Sequence, residues 1–175
     1  MTPNHSLTVY HASPDVFRRD YQAFKTAFKG LCLAAGIFPL CPADDELVDA
    51  PGKPLSLRIY EQNIALIERA DIVMANVQNF RGFEPDSGTV FEIGYAIGRG
   101  KRVWCYNAPA GSLLQQIPCD SDNRDKDGYQ VEDFGLSRNL MLSHACEVVA
   151  GDAKACIDAI VTWRAQFTTS LSAAA

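Results

Sequence analysis

Two carboxylates, Asp86 and Glu92, stand close together in the stretch Phe83–Lys101, F-E-P-D-S-G-T-V-F-E-I-G-Y-A-I-G-R-G-K. An ionised carboxylate serves as a nucleophile or a covalent leaving group, and a neighbouring acid can move protons. Each acid also has a plainer reading. Thr89-Val90-Phe91-Glu92 has the spacing of a capping box, with Thr89 as cap and Glu92 at the third helical position. Pattern alone favours that reading, and a helix N-terminus lowers a carboxylate pKa. Pro85-Asp86-Ser87-Gly88 is turn chemistry, so Asp86 reads first as a turn residue or cap and second as an acid catalyst.

Other polar residues carry the same ambiguity. Tyr10 ends an apolar run and is as well read as core as it is as a site residue. Asp15 reads as the cap of the helix after it, and Asp71 as structural. Asn63 lies among apolar neighbours, either as a satisfied buried amide or as a group that recognises a base. Asn139 follows a long loop and reads as a helix start. His5, His11 and His144 are too scattered for a metal site, and the six cysteines show no C-x-x-C. Three of those cysteines lie in apolar segments as small core hydrophobes, and a reduced, cytoplasmic home is the simplest fit.

The elements that position these residues alternate between two periodicities. Strands are expected at Leu7–Tyr10, Ile37–Cys41, Asp71–Val77, Arg102–Tyr106 and Glu147–Ala150. Helices are expected over about Arg18–Ala35, Leu55–Arg69 (Ile59, Ile64 and Ile67 inward), the stretch after Gly88, and Asp152–Phe167. The class is therefore α/β: a flavodoxin-like, Rossmann-like three-layer sandwich around a five-stranded parallel sheet of order 2-1-3-4-5. In that order a site lies beyond the carboxyl ends of strands one and three, where Tyr10, Asp15, Asp86 and Glu92 would converge.

The chain of 175 residues is expected to form one domain, with a frayed small-residue tail near 170–175. A formal charge of −5 argues against nucleic acid or anionic membrane as partner. No apolar run is long enough for a membrane span, and Met1–Ser6 does not read as a signal peptide. The loop Asn107–Ser137 is long, and acidic in its part 119–133. The loop H-A-S-P-D-V-F has no glycine fingerprint, and the run Gly94–Lys101 has the wrong spacing and direction for a phosphate cradle. A neutral ligand is thus favoured over a nucleotide.

Four segments together resemble the nucleoside 2-deoxyribosyltransferase family. They are Y-x-A-x-P-D-V-F at Tyr10–Phe17, N-x-x-x-I-x-x-A-D-I-V-x-A-N at Asn63–Asn76, D-S-G-T-V-F-E-I-G-Y-A from Asp86, and V-E-D-F-G-L-S-R-N-L-M at Val131–Met141. The resemblance implies that Glu92 is a nucleophile, that Asp86 contacts and helps protonate the nucleobase, and that Tyr10 orients the nucleophile. It further implies substrate contacts at Asn63, Asp15, Phe17, Ser87, Gly88 and Met141. Asn139 would reach the sugar from a neighbouring subunit of a dimer-based homo-oligomer, commonly a hexamer. It implies 2-deoxynucleosides and free nucleobases as substrates, a role in nucleotide salvage, and no metal or organic cofactor. Relatives usually read Y-L-A-G where this chain has Tyr10-His11-Ala12-Ser13. Two other readings stand beside transfer: an N-glycosidase acting on nucleosides or their monophosphates, and a non-catalytic nucleoside-binding module.

Overall fold

A computed structural model describes residues 6–44, 46–47 and 50–173, with side chains through residue 166. His5, named above, lies outside the described residues, as do Ala174 and Ala175 and the side chains of the expected frayed tail.

Five parallel strands form one sheet: β1 (Leu7–Ala12), β2 (Ile37–Leu40), β3 (Ile72–Asn76), β4 (Arg102–Tyr106) and β5 (Glu147–Val148). Their order is β2-β1-β3-β4-β5, as expected from the sequence. The helices are α1 (Tyr21–Ala34), α2 (Leu55–Arg69), α3 (Ser87–Gly98), α4 (Leu113–Gln116), α5 (Leu140–Ala145) and α6 (Ala153–Ala173).

Side chains alternate across a strand, and both faces of this sheet are covered. Tyr10, Ala12, Val73, Ala75, Val103 and Cys105 therefore pack with Leu66 and Ile67 of α2 and Ile93 and Ala96 of α3. Val9, Ile72, Met74, Trp104 and Tyr106 pack on the other side with Phe28 and Cys32 of α1 and Ile157 and Ile160 of α6. Each fully buried large aliphatic side chain contributes about 1.5–3 kcal/mol. Asp71 is structural, as read: its carboxylate accepts from the backbone and hydroxyl of Thr8, both at 2.7 Å, which pins β1 beside β3.

Several boundaries move. β1 runs two residues past Tyr10, to Ala12. A 3-10 turn at Pro14–Phe17 then separates β1 from α1, which starts at Tyr21 and not near Arg18. Gly36, at φ 71°, ends α1 in the left-handed region that glycine tolerates. Ile59 is not inward but 42% exposed. In the long loop after β4 the acids build turns. Asp120 accepts from the backbone of Asp122 and Arg124, and Asp125 from that of Asp127 and Tyr129. No helix among the described residues is long and apolar enough to cross a membrane.

Candidate active site

The start of α3 decides how Glu92 is used. Asp86, not Thr89, is its N-cap: Asp86 Oδ2 accepts from Thr89 N at 2.9 Å and from the Thr89 hydroxyl at 3.1 Å. The capping box expected at Thr89–Glu92 is therefore not formed, and Glu92 falls in the second turn with its carboxylate free for other partners. A Cβ at Gly88 would stand 3.1 Å from Asp86 Oδ2, so glycine gives the cap its room. Asp86 Oδ1 accepts no hydrogen bond among the described residues, and Asp86 lines a cavity.

That cavity, of about 520 Å3, lies beyond the carboxyl ends of β1 and β3 and is the size of small-molecule sites. Tyr10, fully buried on β1, donates its phenol to Glu92 Oε1 at 2.7 Å. Asn63 on α2 holds its amide nitrogen 3.5 Å from the same oxygen, at the limit of a hydrogen bond, and its Oδ1 is buried with no partner. Glu92 Oε2 accepts nothing among the described residues. Val16, Phe17, Leu47 and Ile59 supply apolar surface opposite these polar groups.

Burial is the main influence on Glu92 and raises its pKa to about 7. The Tyr10 hydrogen bond pulls it down, the charge of Asp86 pushes it up, and the Asn63 amide lowers it slightly. The pKa reduction expected from a helix N-terminus is outweighed, because the side chain is desolvated. Burial, then the charge of Glu92, drive the Tyr10 phenol far above its ordinary value, so it remains a donor.

Of the residues singled out in the sequence, Phe17, Asn63, Asp86, Gly88 and Glu92 line the cavity, and Tyr10 reaches it through Glu92. Asp15 does not cap α1. It is buried, its Oδ2 accepts from Asn76 Nδ2 at 3.0 Å, and it is not among the residues that line the cavity. Ser13 instead caps the 3-10 turn, accepting from Asp15 N at 3.2 Å, and lines the cavity. Ser87 is exposed beside the cavity lining, not in it. Asn139 caps α5 and donates to Glu132 at 2.6 Å, and Met141 is 71% exposed; neither lines this cavity. Phe17 stacks on Phe80 at the rim with Arg81 over both rings.

Sequence reasoning missed Gln22, Gln62 and Leu47, which line the cavity without any pattern to mark them. It also missed Arg138, a buried cation within a polar loop. Among the described residues no cluster of His, Cys, Asp and Glu is arranged for a metal.

A protein-family model described as Nucleoside 2-deoxyribosyltransferase matches residues 9–141. Among solved structures, the chain is similar to a 2-desoxiribosyltransferase from Leishmania mexicana, with 30% identity and a TM-score of 0.75 over 89% of this chain and 97% of that one. A conserved protein from Enterococcus faecalis shares the fold at 16% identity and a TM-score of 0.59, over 91% of this chain and 99% of that one. No curated protein sequence matches.

Proposed function

The chain belongs to the nucleoside 2-deoxyribosyltransferase family, and on that premise we propose that it moves a 2-deoxyribosyl group from one nucleobase to another through an ester on Glu92. The observation that carries this reading is the Glu92 carboxylate, held at Oε1 by Tyr10 while Oε2 has no partner among the described residues, in a ligand-sized cavity shared with Asp86.

A 2-deoxynucleoside binds with its C1′ over Glu92 Oε2. Asp86, directly or through a water, brings a proton to the departing base. The glycosidic bond breaks through an oxocarbenium-like transition state, which forms more easily without the electron-withdrawing 2-hydroxyl. Glu92 traps C1′ as an ester, and Tyr10 holds the carboxylate at the angle of attack. An incoming base then displaces Glu92 from C1′ and gives up its N–H proton to Asp86, which restores the starting state. Two inversions leave the configuration retained. Water in place of the second base gives hydrolysis, so an apolar wall that limits water favours transfer.

Neither Lys, Arg nor His lines the cavity among the described residues, which supports a neutral nucleoside over its monophosphate. Asn63 Oδ1, buried and unpaired, is suited to accept from a base N–H. Asn139 acts from a neighbouring subunit in this reading, so a complete site is built in a homo-oligomer. The six free cysteines suit a reducing, cytoplasmic compartment, where the reaction serves nucleotide salvage.

Mixing the protein with a 2-deoxynucleoside should add one deoxyribosyl mass to the peptide bearing Glu92, and adding a foreign base should release a new nucleoside. Glu92→Ala should lose both while keeping its fold. Free deoxyribose alone would mark a hydrolase, and binding without any adduct a non-catalytic module.

A further inference from the structure

We infer that Arg138 is a positioning residue for the acid side of the site: its guanidinium fixes the segment after β3 and, through it, Asp86. The inference rests on the reading of Asp86 as the group that protonates the leaving base.

Arg138 is only 1% exposed. Its Nε donates to Val77 O at 2.8 Å, its Nη1 to Phe83 O at 2.8 Å and its Nη2 to Asn79 Oδ1 at 2.6 Å. A longer contact, 3.5 Å, joins Nη1 to Gln116 Oε1 on α4. No carboxylate is in this set. The charge of Glu84 nearby favours the cation, but the guanidinium's hydrogen-bond acceptors are neutral and its burial is costly, so its value lies in the geometry it imposes.

The segment it grips has little structure of its own. Gln78 N reaches back to Asn76 Oδ1 at 3.2 Å, and Phe80 N to Glu84 O at 2.9 Å. Arg81 and Gly82 take positive φ, 56° and 154°. Arg138 supplies three bonds to the same stretch, spaced along it from Val77 to Phe83. Between the Phe83 carbonyl and Asp86 lie only Glu84 and Pro85. Glu84 O is already bonded, and Pro85 is buried with its φ set by its ring. The grip on Phe83 is therefore transmitted to Asp86 with almost no slack.

The anchor is itself held. Ser143 donates to Arg138 O at 2.9 Å, and Glu132 accepts from Asn139 Nδ2 at 2.6 Å and from Leu140 N at 2.9 Å. A lysine keeps the charge but not the planar fork that meets three acceptors at once.

The test compares Arg138→Lys, Arg138→Ala and Asp86→Asn on 2-deoxynucleosides whose bases range from those that need a proton to leave to those that depart without one. Arg138→Lys should lose about tenfold or more in kcat on the first kind and less than about threefold on the second, as expected when a proton donor is misplaced by a fraction of an ångström. Asp86→Asn should show the same slope. Millimolar guanidinium should restore part of the activity of Arg138→Ala and none of that of Asp86→Asn. Loss of equal size across the series in Arg138→Lys, with a sloped Asp86→Asn, would overturn the inference and leave Arg138 a structural clamp. A flat series in Asp86→Asn overturns the reading of Asp86 first, and this inference with it.

Discussion

The phenol of Tyr10 donates to Glu92 Oε1 at 2.7 Å, joining β1 to the second turn of α3 across 82 residues of chain. The bond stabilises the carboxylate, while burial and the charge of Asp86 oppose it. The proposed nucleophile is competent only when ionised. The free-enzyme profile of kcat/KM should then rise with pH, be half-maximal near the Glu92 pKa of about 7, and fall tenfold for each pH unit well below it. Tyr10→Phe removes the stabilising donor and should move that limb to higher pH. Asp86→Asn removes the opposing charge and should move it to lower pH, besides slowing the reaction. Limbs that stay in place, or move the same way in both variants, would show that Glu92 does not govern the profile.

Glu92 should also weaken the fold where it is ionised. Its folded pKa is raised from 4.5 to about 7, so its favourable contribution is present below pH 4.5 and lost as pH rises through 7. The full gap is worth roughly 3 kcal/mol. Gln at this position keeps an acceptor for Tyr10 without the charge. Glu92→Gln should therefore exceed the parent in stability at pH 8 by about 1–3 kcal/mol, with the difference shrinking towards pH 5. Urea denaturation at the two pH values measures it, and a pH-independent difference would count against the buried carboxylate.

Asp86 combines two tasks that substitution can separate. Its Oδ2 caps α3 through Thr89 N at 2.9 Å, and Asn is as good a cap as Asp. Asp86→Asn should keep the melting temperature close to that of the parent and lose activity. Asp86→Ala should lose activity and about 1 kcal/mol of stability as well. Equal stability of the two variants in thermal unfolding would mean that the cap carries no weight.

The frame of this fold was legible because periodicity reports burial. α2 and β4 fall on their expected residues, Leu55–Arg69 and Arg102–Tyr106, and the strand order follows from alternating elements. Tyr10, Asp86 and Glu92 meet because all three sit where a chain leaves the carboxyl edge of such a sheet. Local pattern failed where two local rules competed. Asp86 and Thr89 both precede the helix by a cap's spacing, and Thr89 is itself buried, which left the cap to Asp86. Asp15 was assigned locally to α1, but its partner is Asn76, which only the folded sheet brings near. Arg138 falls within the segment Val131–Met141 that carries the family resemblance, but nothing local marks its role, since its partners are carbonyls and an amide that any sequence supplies.

His11 should contribute to the response to acid. It occupies the β1 position next to Tyr10 but faces the opposite layer, stacked on Phe28 at 4.0 Å between ring centres, with Nε2 2.7 Å from the Tyr106 hydroxyl. Burial lowers its pKa from 6.5 to about 3. A depressed folded pKa means that the contribution is intact above pH 6.5 and is lost as pH falls towards 3. Between pH 6.5 and 4 this histidine alone should remove roughly 3 kcal/mol. Glutamine places an amide near the position of Nε2 and cannot titrate, so His11→Gln keeps a partner for Tyr106 while losing the ring stack. The variant should be weaker than the parent at pH 7, yet its stability should fall much less between pH 6.5 and 4, as followed by urea denaturation at intermediate pH values. Parallel pH dependences for parent and variant would assign the acid sensitivity to other groups.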